Sequence, residues 1–123
     1  MIYLLDISTL VALLLAEHEH NKKVFAWAAK KELAICPLTE LGFLRVAIGT
    51  YNATPDQARK TLKDFWDAKK PQFVPDDISA LAGEPFPSYR KSTDWYIANL
   101  ASKHGMKWAT TDHKANHPVA EFI

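Results

Sequence analysis

Four acidic residues stand where this sequence could turn them to chemistry: Asp6, Glu40, Asp94 and Asp112. Asp6 follows the short apolar run Ile2 to Leu5, and Asp112 follows a run that ends near Thr110. Each run reads as a buried strand, and open α/β sheets bind their ligands at the carboxyl ends of strands. Asp is also an ordinary turn or cap residue there, so neither is decisive alone. Glu40 and Asp94 lie in helical surroundings. Glu40 shares a helix side with Phe43, Leu44 and Ala47, and Asp94 with Ile97, Ala98 and Ala101. Neither has a Lys or Arg three or four residues on, so the usual surface ion pair is missing. A first-turn acid can simply favour the helix dipole, an effect below about 1 kcal/mol. An acid on the apolar face, however, points inward at the mouth of the helix.

If the four converge, their charges decide what they can do. Two carboxylates ~4 Å apart repel by about 4 kcal/mol at an effective dielectric near 20. Four cannot all stay ionised without a cation, or else some must hold protons. Hard oxygen donors without Cys or an obligatory His suit Mg²⁺ or Mn²⁺. Such an ion can activate water and neutralise charge on a phosphodiester. The residues alone leave this as one option among several.

The elements that would position these acids alternate between strand and helix. Ile2 to Leu5 is a strand apolar on both faces, as in a parallel sheet covered by helices. Ser8 or Thr9 can cap a helix through Leu15, and a second helix is expected from about Asn21 to Lys31. Leu33 to Cys36 is a second strand, and Pro37 suits the first turn of a helix running to about Gly49. Thr54 and Pro55 open a helix towards Lys69, and Gln72 to Val74 is a third strand. Pro75 to Lys91 holds Pro75, Gly83, Pro85 and Pro87 and is expected to be a short helix and a loop. Ser92 or Thr93 then caps a helix through His104, closed by Gly105. Met106 to Thr110 and Val119 to Ile123 complete the pattern as two short strands. The expected class is a three-layer α/β/α domain with a central, mostly parallel sheet of 4–5 short strands.

The bulk properties agree with an ordinary globular chain. Its 123 residues, 48% hydrophobic and 24% charged, suit a single domain over 1–123. A domain of that size needs no metal to fold, so any metal would be functional. Cys36 is the single cysteine, which rules out an internal disulfide. The apolar start carries Asp6 and lacks a basic leader, and the run from Leu10 to Ala16 is too short to span a bilayer. The expectation is a cytoplasmic protein. A net charge of +1 argues against binding nucleic acid through bulk charge, but leaves room for a few local cations.

LLDISTLVALL resembles the first motif of the PIN-domain family, a strand ending in Asp with a small polar residue two positions later, here Ser8. CPLTELGFLRV resembles the second motif, matching Glu40. STDWYIANLASKHG resembles the third, matching Asp94, and MKWATTDHKA the fourth, matching Thr110 and Asp112. All four occur in the expected order across the whole chain, and the length is similar to that of the toxin subfamily called VapC. The resemblance implies an endoribonuclease that uses Mg²⁺ or Mn²⁺, a homodimer, and a VapB-type antitoxin that blocks the acidic pocket. It gives Asp6, Glu40, Asp94 and Asp112 to the metal and to catalysis, with Ser8, Thr110 and Asn116 in support. Arg90, Lys91 and Lys114 flank the motifs as candidates for RNA phosphates. Two departures stand out. Ile7-Ser8 replaces the usual Thr-Asn pair, and Asn116 and His117 stand where a further acid or an aromatic often follows.

Other readings fit less well. His113 and His117 have a zinc-like spacing but lack further ligands. Haloacid-dehalogenase-type phosphatases carry a second Asp where this chain has Ser8, and response-regulator receivers need an early acid pair that is absent. Trp27, Trp66, Trp95 and Trp108 read as core or dimer interface rather than base-stacking platforms. The alternative from another class is a PIN-like scaffold that binds RNA or protein without cutting, which would predict degraded acid positions.

Overall fold

The structure is a computed structural model describing residues 1–123. Five short strands form one sheet: β1 (Ile2–Leu5), β2 (Glu32–Ile35), β3 (Gln72–Phe73), β4 (Lys107–Thr110) and β5 (Ala120–Phe122). Their order is β3-β2-β1-β4-β5 and every neighbouring pair is parallel. Five helices connect them: α1 (Ile7–Leu14), α2 (Asn21–Ala28), α3 (Pro37–Gly49), α4 (Pro55–Lys69) and α5 (Ser92–Lys103). The α/β/α arrangement expected from the sequence is the one observed, with all five strands parallel. No helix is long and apolar enough to cross a membrane.

Strand alternation divides the interior into two layers. Tyr3, Leu5, Leu33, Ile35 and Ala109 face α1, α2, α3 and α4, whereas Leu4, Ala34, Cys36 and Trp108 face α5. The helices approach closely where α1 meets α3. A Cβ at Gly42 would overlap the side chain of Ile7, so only glycine lets the two helices meet there. Thr39, one turn earlier in α3, donates its hydroxyl to the Leu5 carbonyl at 2.8 Å. That bond ties the start of α3 to the end of β1.

Several element ends differ from expectation, each for a local reason. Asp6, not Ser8 or Thr9, caps α1, accepting the Thr9 N–H at 2.8 Å. Thr9 is buried and donates instead to the Ala109 carbonyl at 3.1 Å. The second helix stops at Ala28 rather than Lys31. Asn21, at its start, donates to the carbonyls of Ala12 and Leu13 and so closes the end of α1. Helix α4 begins as expected, with a reciprocal capping box between Thr54 and Gln57. Neither Ser92 nor Thr93 caps α5; a 3₁₀ turn over Tyr89–Lys91 leads directly into it. No α-helix forms between Pro75 and Ser88. That loop is held by buried Asn99, which accepts the Glu84 N–H and donates to the carbonyls of Ala82 and Glu84.

Candidate active site at the carboxyl edge of the sheet

Strand β1 is central: the chain passes from it to β2 and β3 on one side, then crosses to β4 and β5 on the other. A sheet wound this way opens a crevice at the carboxyl ends of the two diverging strands. Asp6 follows β1 directly, and Asp112 lies two residues beyond β4. Asp94 occupies the first turn of α5, the helix packed over β1 and β4. These three aspartates interact electrostatically: the charges of Asp6 and Asp112 both act on Asp94.

Asp6 is only 2% exposed, which is exceptional for a carboxylate. Both its oxygens are occupied. Oδ1 accepts the Thr9 N–H, and Oδ2 accepts the indole N–H of Trp108 at 2.8 Å. Burial raises the Asp6 pKa, and the Thr9 and Trp108 bonds oppose that rise. Asp94 has no such donors. Burial first, and then the charge of Asp6, push its carboxyl up to about 7.

Asp112 lies nearer the surface and behaves oppositely. Lys91 donates to its Oδ2 at 2.7 Å, and this bond holds the carboxyl below its usual range. The Lys114 N–H donates to Oδ1 at 3.1 Å, and the Asp112 N–H donates to Thr110 Oγ1 at 3.0 Å. Thr110 therefore fixes the turn that presents Asp112. Lys91 is the cation that stands among the acids.

Glu40 is placed differently. Its backbone follows Thr39 at the end of β1, but its side chain reaches across to α4, where Oε2 accepts the Trp66 indole N–H at 2.9 Å. Its charge does not figure among the causes that shift the three aspartates. As the side chains stand, no three His, Cys, Asp or Glu residues are arranged to hold a metal ion. The donor set nevertheless suits a hard cation: oxygen ligands only, with like charges crowded around a buried carboxylate.

The remaining candidates divide. Ser8 is exposed on α1, and Asn116 is exposed beyond β4; neither side chain makes a hydrogen bond within the chain. Arg90 is exposed and donates to the Tyr89 hydroxyl. Lys114 bonds Asp112 through its backbone N–H, and its charge also helps hold that carboxyl down. His117 is buried, with Nε2 2.8 Å from Asn99 Oδ1 and Nδ1 accepting the Val119 N–H, so it serves the core rather than a metal.

Two residues were missed as partners of the acids. Trp66 and Trp108, expected to be core or interface, each aim an indole N–H at a candidate carboxylate. For Trp108 no local signal could have revealed this, since its partner lies 102 residues away. For Trp66 there was one: Arg59, Leu62, Lys63 and Trp66 repeat at helical spacing along one face of α4.

Residues 3–119 match the family model described as PIN domain. The chain is similar to Ribonuclease VapC38 of Mycobacterium tuberculosis, 34% identical over 120 residues, covering 89% of this chain and 84% of that protein. It is likewise similar to Ribonuclease VapC29 of the same organism, 31% identical over 121 residues, covering 95% of this chain and 90% of that protein. In fold it is similar to the crystal structure of VapBC2 from Rickettsia felis bound to a DNA fragment from their promoter. That match has a TM-score of 0.65 and 15% identity over 100% of this chain and 99% of the other. At that identity the likeness is one of fold.

Proposed function

Because the chain belongs to the PIN domain family, we propose that it is a metal-dependent endoribonuclease of the VapC toxin type, acting as one domain over residues 1–123. The observation that supports this reading is the placement of Asp6 after β1, Asp112 beyond β4 and Asp94 in the first turn of the helix over both strands, all at the crevice between β1 and β4. The similarity to two mycobacterial ribonucleases supports RNA as the substrate.

In this reading the three aspartates, joined by Glu40, would hold Mg²⁺ or Mn²⁺. When bound, the ion supplies an acidified water and positive charge for the phosphodiester. The chain's own residues prepare the place. Thr9 and Trp108 keep the Asp6 carboxylate oriented in a nearly dry environment. Thr110 sets the Asp112 turn. Glu40 would leave Trp66 by a side-chain rotation to join the aspartates. Lys91, on Asp112 in the free chain, would turn its ammonium to a phosphate oxygen of bound RNA. We also assign a VapB-type antitoxin as the partner, on the strength of the similarity to two VapC proteins. A homodimer in the cytoplasm belongs to the same reading.

Cleavage of a mixed structured-RNA pool tests it, with Mg²⁺ or Mn²⁺, with EDTA, and with Asp94→Asn in parallel. Metal-dependent cutting that disappears in both controls is expected. Cutting that survives either control refutes the assignment.

A further inference from the structure

The groove between α3 and α4 carries a feature that the acid site does not use. It has a volume of about 360 Å³ and is lined by Glu40 and Leu44 from α3, and by Arg59, Leu62, Lys63 and Trp66 from α4. The α4 residues fall at successive helical positions on one face. Arg59 and Lys63 are exposed and neither takes part in an ion pair, unlike neighbouring Lys60, which is paired with Asp64. Leu44, nearly buried Leu62 and the Trp66 ring give the groove an apolar floor. The indole is held on both sides: its N–H bonds Glu40, and its ring lies against Phe73 with centroids 5.9 Å apart.

From this combination we propose that the α3–α4 groove is a nucleotide subsite for the RNA strand. Trp66 offers a stacking surface for a base, and Arg59 and Lys63 receive the adjoining phosphates. Two unpaired cations beside an aromatic ring packed on Phe73 match the chemistry of single-stranded nucleic acid, an anionic backbone carrying planar bases. The volume is in the range of small-molecule sites. Glu40 joins the groove to the candidate active site, because it lines the groove and begins one residue after the Thr39 tie to β1. The inference rests on the nuclease reading for its substrate but not for its geometry.

The test measures binding of a short, mixed-sequence, fluorescein-labelled single-stranded RNA in EDTA across a salt series, with cleavage in Mn²⁺ scored separately. Arg59→Gln combined with Lys63→Gln should weaken binding at least about tenfold and lower the salt slope by about 1.4, since each lost phosphate contact removes about 0.7. Trp66→Leu should weaken binding by roughly five- to a hundredfold. Trp66→Phe, which keeps an aromatic face and gives up the Glu40 bond, should retain most of the affinity. Lys22→Gln with Lys23→Gln, remote on α2, is the control for bulk charge. If the wild type cuts RNA and the double variant binds it unchanged, the subsite is refuted while the nuclease stands. If the wild type fails to cut but the double variant weakens RNA binding, the groove stands and the nuclease reading fails. Unchanged RNA binding with loss of an acidic protein partner would overturn the proposal in favour of a protein-docking groove.

Discussion

Replacing Asp94 with Asn should make the metal-free protein more stable even as it removes the proposed activity. The carboxyl of Asp94 lies beside buried Asp6, and burial and that charge raise it from 3.8 to about 7. One pKa unit corresponds to about 1.4 kcal/mol, so a gap of about three units sets a ceiling near 4 kcal/mol. Part of the carboxyl stays in contact with water, and the amide is itself desolvated, so the expected gain is about 1–3 kcal/mol. The sign follows from proton counting. Between pH 3.8 and about 7 the folded chain holds a proton that the unfolded chain has released. Wild-type stability therefore falls as pH rises through that window, and the Asn variant escapes the loss. Urea unfolding in EDTA, at a series of pH values across the window, measures the difference. The gap should be near zero close to pH 4 and widest above pH 7. If the proposed site holds the ion, Mn²⁺ should then stabilise the wild type more than the variant, through the folded carboxylates. A variant no more stable than wild type at high pH, or a gap independent of pH, would refute the crowded-charge account.

Other perturbations probe the supports around the acids. Trp108→Phe keeps an aromatic ring but removes the donor to Asp6 Oδ2. It should cost about 1–3 kcal/mol in denaturant unfolding and raise the Asp6 pKa further, visible in carboxyl-carbon NMR titration. Gly42→Ala places a methyl against Ile7; overpacking should destabilise by about 1–3 kcal/mol, read from the thermal midpoint. Lys91→Met should change stability by less than about 1 kcal/mol, since the pair with Asp112 is partly exposed. It should nevertheless let the Asp112 pKa rise, which the same NMR titration would detect. Burial lowers the His117 pKa below 6.5, so stability should fall as pH drops through that range, and His117→Gln should flatten this limb.

Much of the frame was legible because it is written locally. The runs at Ile2 to Leu5 and Leu33 to Cys36 are apolar on both faces, and the Thr54-Pro55 start of α4 carries its own cap. The four acids stood out by their places at strand ends and on apolar helix faces. What escaped the sequence depends on distant partners. Asp6 both ends β1 and caps α1, so Ser8 and Thr9 were free for other positions. The indole bonds of Trp66 and Trp108 cross 26 and 102 residues. The Lys91–Asp112 pair likewise spans 21 residues. The turn of Glu40 towards α4 depends on Trp66 and left no mark in the second motif itself. The Pro- and Gly-containing loop before α5 takes its shape from Asn99, whose bonds span 15 and 17 residues.

The central position of β1 also has a temporal consequence. Leu4 pairs with Trp108, so the strand that receives Asp6's partners is made about a hundred residues after β1. At roughly 5–20 residues per second, several seconds of synthesis separate the two. During that interval α1, α2, α3 and α4 can gather on one face of β1 and β2, but Asp6 has neither Trp108 nor Asp112 beside it. On the proposed reading, a growing chain would cut no RNA of its own ribosome until β4 has emerged and docked. Ribosome-stalled chains cut short before Lys107 should leave an RNA reporter intact, whereas those extending past β5 should cut it. Cleavage by the shorter chains would show that the site forms without β4.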